Sequence, residues 1–506
     1  MPKIDYFDEA SLRAGLAGKA VRGGVLTGVG QAVTIGFNLL SVPILARLLD
    51  KEDFGVVAMA TVLSTVAAAL ASAGLGAAAL QRRDLTHQQA SNVFWINALL
   101  ALVVAAAVAA LAPVLGWVYG DPRVTPVVVA CALPFLMSGL TGVQGSLLAR
   151  AMRHDRRVVA QVSAAMLGQA TSIALAYAWR GEDYAYWALA VGPVVVSATR
   201  MLLCWCFSGW VPSRFRRGAG TRELVGFGAQ LTGFQLLNLL SREVDRFLIG
   251  WWWGAGQLGL YALAYRLFLA PLRAINAPVT NVAVPTLSRL TNEPERYREY
   301  YVGAASTLML VTVPLSVFIG ANADLLTPIA FGKGWEASAT ILRSLCVVGV
   351  VHCLSNTFGW LYVSQARTMD GLRTASIIAP IHVLSFVVGL PWQALGVATS
   401  YAAIGLFVGF PVAVWRAGAC GPVRRVTLLG ILGNLLVVAA AALLGSGLVR
   451  LATPDWQPAL RLVASGLGLA VCVAAAAVGL ARAGAAPELV AVLRRLRRRG
   501  SPVGVR

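Results

Sequence analysis

Apolar residues run through this 506-residue chain in blocks of about twenty or more, each closed by a short cluster of charge, proline or glycine. As a helix rising 1.5 Å per residue, such a block crosses the roughly 30 Å hydrocarbon core of a bilayer. The pattern predicts spans near 22–47, 54–80, 91–118, 126–149, 158–179, 184–209, 223–250, 257–287, 300–321, 336–365, 373–390, 392–415, 426–449 and 459–481, about fourteen helices. The links between them are short, which leaves no room for a sizeable soluble domain. The expected class is an all-α polytopic membrane protein.

The blocks also repeat. Asn38-Leu39-Leu40-Ser41 returns as Asn238-Leu239-Leu240-Ser241, and each copy is followed by a helix end, a short link and a glycine-led apolar run, Gly55-Val-Val-Ala-Met-Ala or Gly259-Leu-Tyr-Ala-Leu-Ala. Upstream, Gly30-Gln31 and Gly228-Ala229-Gln230 fall in similar places. The separation corresponds to six spans, an even number, so the copies run in the same direction as parallel repeats about an axis along the membrane normal. The expected organisation is a lobe of six spans over 1–220, a second over 221–420, two additional spans over 421–482 and a basic tail over 483–506. The two lobes enclose a cleft.

Composition agrees, with 58% hydrophobic residues and 13% charged where soluble domains carry about 25%, and a mean hydropathy of +0.71. A net charge of +20 would suggest nucleic acid in a soluble chain, but here the placement of charge decides. Lys and Arg crowd alternate connections, while the other set holds Arg47, Lys51, Arg123, Arg180, Lys333 and Arg450. This asymmetry predicts an even span number with both termini in the cytoplasm and no nucleic-acid partner. The run Arg494-Arg495-Leu496-Arg497-Arg498-Arg499 reads as an amphipathic helix on the cytoplasmic leaflet, in contact with membrane lipids. The opening MPKIDYFDEASLRAGLAGK carries Asp5, Asp8 and Glu9 and lacks the apolar core of a signal peptide. Seven cysteines imply no disulfide framework. The chain has no phosphate loop, dinucleotide fingerprint, HExxH or Ser/His/Asp set, so catalysis, cofactor and metal are not expected. His352 and His382 lie inside spans, where packing and proton relay are both open readings.

Seven arginines remain inside the spans: Arg200, Arg242, Arg246, Arg266, Arg273, Arg343 and Arg461. Charge at membrane depth is costly and usually faces a bundle interior or an aqueous cavity. Asn238 to Arg266 concentrates it, with Arg242, Glu243, Asp245 and Arg246 spaced so that Arg242 can meet Asp245 and Glu243 can meet Arg246. The two acids serve as arginine partners or carry a coupling cation. In the following span Arg266 and Arg273 share a face that Asn276 and Thr280 continue, while Pro271, Pro278 and Pro285 form a separate stripe. Arg200, Arg266 and Arg343 lie about 12–15 Å from a span end, too deep for ready snorkelling. Guanidinium matches phosphate bidentately, so a cationic cavity suits an anionic head group such as a pyrophosphate.

The stretches Asn38-LLSVPILARLLDKEDFGVVAMA-Thr61, Gln144-GSLLARAMRHDRR-Val158 and Val244-DRFLIGWWWGAGQLGLYALAYRL-Phe268 resemble the polysaccharide transporter (Wzx-like oligosaccharide flippase) branch of the multidrug/oligosaccharidyl-lipid/polysaccharide superfamily. Trp251-Trp252-Trp253 departs from the charged or small outer loop usual there and suggests an interfacial aromatic anchor. The resemblance implies movement of a polyprenyl-pyrophosphate-linked oligosaccharide across a bacterial cytoplasmic membrane by alternating access, coupled to a proton or sodium gradient, for surface polysaccharide synthesis alongside other assembly proteins. Arg47, Asp245, Arg246 and Arg266 carry over as positions. Together with the reading of depth, the candidate head-group residues are Arg200, Arg246, Arg266 and Arg343, with Arg47 and Arg273 as further cavity candidates. Arg242, Glu243 and Asp245 are candidates for ion pairing or coupling. A cation-coupled drug antiporter would favour deep carboxylates over arginines, and a membrane polymerase or glycosyltransferase would show a large loop or an acid and histidine constellation.

Overall fold

The apolar blocks fold as helices in the computed structural model, which describes residues 16–72, 85–216, 222–419 and 421–482. The opening acidic segment and the basic tail from 483 lie outside them. Contacts divide the chain into two units, Met1–Ala262 and Leu263–Arg506.

The first unit contains α1 (Leu16–Leu48), α2 (Lys51–Ser72), α3 (His87–Tyr119), α4 (Val124–Gly139), α5 (Gly142–Arg150), α6 (His154–Ala178), α7 (Trp187–Ser208) and the beginning of α8 (Arg222–Arg289). Local sequence sets their ends. Thr86 and Gln89 form a reciprocal capping box at the start of α3, which Gly120 ends at φ 67°. The segment after α7 is strapped over that start by α3's side chains: Asn92 Nδ2 donates to the carbonyl of Arg216 at 2.7 Å and Trp95 Nε1 to that of Ser213 at 2.8 Å. Beneath the strap Leu85, Val93, Phe94, Val143, Leu147 and Trp210 form a buried cluster. α1 packs on α6, α3 on α4, and α6 on α7.

The two glycines singled out by the repeat meet each other. A Cβ on Gly55 would strike the carbonyl of Ala255, and one on Gly259 would strike the carbonyl of Lys51, so α2 and the later part of α8 cross backbone to backbone there. The rings of Phe247 and Tyr119 pack at a tilt with centroids 5.7 Å apart. These contacts lie within the first unit, which takes in α8 as far as Ala262.

The second unit holds the rest of α8, α9 (Pro294–Ala321), α10 (Ala323–Phe331), α11 (Glu336–Ser364), α12 (Thr368–Gly389), α13 (Gln393–Ile404), α14 (Phe410–Ala417), α15 (Arg425–Ala452) and α16 (Pro458–Arg482). α9 and α11 are joined by buried hydroxyls, Tyr297 to Ser364 at 2.6 Å and Tyr301 to Thr357 at 2.7 Å. Such pairs satisfy polar groups that hydrocarbon would leave bare. The additional spans α15 and α16 cross at Gly445 and Gly468, where a Cβ on either would meet the other's backbone. Beside that crossing Ser446 bonds Ser465 at 2.7 Å and accepts from Asn322 Nδ2 at 3.2 Å.

Among the described residues eleven helices are long and apolar enough to cross a membrane, where the pattern predicts about fourteen. Two of the eleven are overlong. Glu243–Arg289 and Thr368–Ala417, at 47 and 50 residues, would each extend about 70–75 Å as one straight helix. Each instead contains a break without a loop. α8 breaks at Gly254 (φ 76°, ψ −174°), a backbone shape essentially confined to glycine. The other breaks at the tight turn Leu390–Trp392, followed by Gln393 at φ 61°.

Candidate functional site

The break at Gly254 organises the charged cluster. Helical dihedrals run up to it through Trp251-Trp252-Trp253, of which Trp251 and Trp252 are exposed and pack edge to face at 5.7 Å. They resume immediately after it, so residues of the first arm are brought back alongside those of the second. Arg246 Nη1 pairs with Glu243 Oε2 at 3.0 Å, the pairing that the spacing predicts. Asp245 is 4% exposed, and Tyr261, fully buried on the second arm, donates its hydroxyl to Asp245 Oδ2 at 2.7 Å. The backbone N–H of Arg246 donates to the other carboxylate oxygen at 2.8 Å. The side chain of Arg242 lies outside the described residues. Tyr261 was not legible as a partner, although its position shortly after the glycine, where Asp245 stands shortly before it, is the signal a hairpin reading would use.

Past Tyr261 the second arm carries two cations, Arg266 and Arg273. Arg266 and Arg273 are both exposed, and among the described residues neither has a hydrogen-bond or ion-pair partner. One heptad separates them, placing both guanidinium groups on one face. Asn276 continues that face with its Oδ1 sealed from solvent and unpartnered, and Thr280 Oγ1 accepts from Trp360 Nε1 at 3.1 Å. Helical dihedrals persist through Pro271, Pro278 and Pro285.

The remaining candidates occupy other settings. Arg200 is exposed on α7 and without a partner among the described residues. Arg47 is exposed in the last turn of α1. Arg343, near the start of α11, pairs with Asp324 at 3.7 Å. Asp324 also pairs with Arg450, which in addition donates to the carbonyl of Ala321. Arg461 Nη2 donates to the carbonyl of Arg450 at 2.8 Å. The ring of His382 packs edge to face on Tyr401 at 5.1 Å. Among the described residues no three His, Cys, Asp or Glu side chains gather as a metal site. The chemistry on offer is recognition of an anion by bare guanidinium groups.

Residues 44–340 match a family model described as polysaccharide biosynthesis protein. The lipopolysaccharide biosynthesis protein WzxC of Escherichia coli strain K12 is 25% identical over 398 residues, 78% of each chain. The teichuronic acid biosynthesis protein TuaB of Bacillus subtilis strain 168 is 26% identical over 405 residues, 79% of this chain and 83% of the relative. Among solved structures, the lipid II flippase MurJ in an inward closed conformation aligns with a TM-score of 0.69 at 13% identity, covering 90% of this chain and 99% of that one. An inward-facing multidrug resistance MATE family transporter of the MOP superfamily aligns with a TM-score of 0.57 at 14% identity, covering 79% and 96%. These two likenesses show the fold.

Proposed function

This chain belongs to the polysaccharide biosynthesis protein family, and on that footing we propose that it is a flippase for polyprenyl-pyrophosphate-linked oligosaccharide. It moves its substrate from the inner to the outer leaflet of a bacterial cytoplasmic membrane by alternating access. The observation that carries this reading is the face of Arg266 and Arg273, exposed, one heptad apart and lacking any carboxylate among the described residues. Two unneutralised guanidinium groups inside a span call for an anion, and a pyrophosphate offers the bidentate match. Arg200 is a third cation without a partner among the described residues. Glu243 is engaged by Arg246 and Asp245 by Tyr261, so the acids that a cation-binding drug antiporter would use already have partners. Of the two, Asp245 is held by neutral donors and is the carboxylate that a proton or sodium gradient would act on.

The test is transport in proteoliposomes of a fluorescent polyprenyl-pyrophosphate oligosaccharide by Arg266→Gln/Arg273→Gln. Hydrogen bonds to charged groups contribute about 1.5–3 kcal/mol each, so losing two lowers the rate at least about 100-fold at 1.4 kcal/mol per decade. Undiminished transport rejects the reading.

A further inference from the structure

The seam between α1 and α6 carries paired amides. Gln161 Nε2 donates to Gln31 Oε1 at 3.0 Å, and Gln169 Nε2 donates to Asn38 Oδ1 at 2.6 Å. Gln31 and Asn38 are one heptad apart, so the two pairs stand one above the other, about 10.5 Å apart along α1. Each pair consumes one N–H and one carbonyl lone pair of its four polar atoms. Among the described residues the amide nitrogens of Gln31 and Asn38 and the amide oxygens of Gln161 and Gln169 have no further partner, and none is sealed from solvent.

The periodicity of α1 shows which way these groups open. At about 100° per residue, the exposed apolar side chains of Val29, Val33, Leu40 and Ile44 cluster on the side of the helix roughly opposite Gln31. The seam lies between the two sides: a Cβ on Gly23 would strike His154 and one on Gly30 would strike Val158, both on α6. On the far side of the seam from the apolar stripe stand Gly24, Gly28 and Gln31, all exposed, and a Cβ on either glycine would meet nothing within 4 Å among the described residues. α1 therefore has two open faces, one of branched aliphatics and one of glycine and amide, with the exposed Leu39 at the edge of the second. An amide left in hydrocarbon costs several kcal/mol. The aliphatic face belongs to lipid and the amide face to water.

We propose that this amide ladder is the track for the sugar portion of the substrate. Each rung presents an NH2 donor beside a carbonyl acceptor, which is the complement of a glycan hydroxyl that accepts and donates at once. Two rungs set a heptad apart on open space suit a chain of sugars passing along α1. This assignment rests on the flippase reading and divides its labour: guanidinium holds the pyrophosphate, amide holds the neutral glycan. The first rung opens to solvent through the exposed Gln31, and both members of the second are part-buried.

The full chain in nanodiscs is titrated with polyprenyl pyrophosphate bearing no sugar and with the same lipid bearing a tetrasaccharide. The variant Q31L/N38L/Q161L/Q169L removes both members of each rung, so no amide is left unpaired. It binds the glycosylated lipid about tenfold more weakly and the sugar-free lipid within about twofold of wild type. Gln31→Leu alone, at an exposed position, shifts the same ratio about threefold and serves where the fourfold variant does not fold. Equal weakening of both lipids, or an unchanged ratio, overturns the track and leaves the amides as a helix fastener. A wild-type protein that binds neither lipid overturns the flippase reading, and the track falls with it.

Discussion

The arginines on the second arm of α8 and those around Asp324 are the same chemical group in opposite circumstances. Arg266 and Arg273 stand on a helix face whose next polar members are Asn276 and Thr280, neither of which neutralises a charge. Arg343 and Arg450 share the carboxylate of Asp324, Arg450 also reaches the carbonyl of Ala321, and Arg461 closes over Arg450's own carbonyl. Among the described residues the first set lacks a counter-charge, whereas the second contains one and fastens α15 and α16 to α10. The two sets also differ in position: Arg450 and Arg461 sit in the end turns of α15 and α16, whereas Arg266 and Arg273 lie well inside α8.

The comparison breaks most directly by giving the bare set the partner it lacks. Asn276→Asp places a carboxylate three residues from Arg273 on the same face. An internal acid competes with the substrate's phosphates, so transport of the lipid-linked oligosaccharide falls at least about tenfold, with the protein's melting temperature unchanged or higher. Proteoliposome flux measured beside thermal melting separates the two effects. Wild-type flux in Asn276→Asp would mean that the face does not meet the anionic head.

Which of these settings a reader of the sequence could foresee follows from the range of the contact. Spans and the Glu243–Arg246 pair are legible because both depend on spacing along one helix. The contacts between helices are not. Arg450 and Asp324 are 126 positions apart, Gln161 and Gln31 130 apart, and nothing in either local sequence names its partner. The triple tryptophan and its glycines read as a loop, yet helix continues on both sides of a single residue, because Gly254 alone adopts the conformation that the reversal needs. Where the repeat was visible as two glycine-led runs, its physical purpose emerged only from the crossing of Gly55 and Gly259, which tolerates no Cβ on either side.

The converse change opens the finished set. Asp324→Asn keeps the shape of the side chain and leaves Arg343 and Arg450 sharing a neutral acceptor. These groups are part-exposed, with Asp324 at 42% and Arg450 at 25%, so solvent screens the loss to about 1–2 kcal/mol. That appears as a drop of a few degrees in melting temperature, with flux within about twofold of wild type. A loss of flux comparable to that of Asn276→Asp would move the Asp324 cluster from fastening into substrate handling.

The smallest change probes a third setting, a buried acid held by neutral hydrogen-bond donors. Asp245 is buried yet held by the hydroxyl of Tyr261 and the backbone N–H of Arg246. Those donors engage both of its oxygens. Tyr261→Phe removes one donor and little volume, at a stability loss of about 1 kcal/mol. Thermal melting reads that loss directly, and flux driven by an imposed proton or sodium gradient reads the second consequence. A purely structural Asp245 gives a flux change no larger than the stability change. A carboxylate that exchanges a coupling cation instead gives altered gradient dependence out of proportion to that kilocalorie, because the hydroxyl that competed with the cation for Oδ2 is gone.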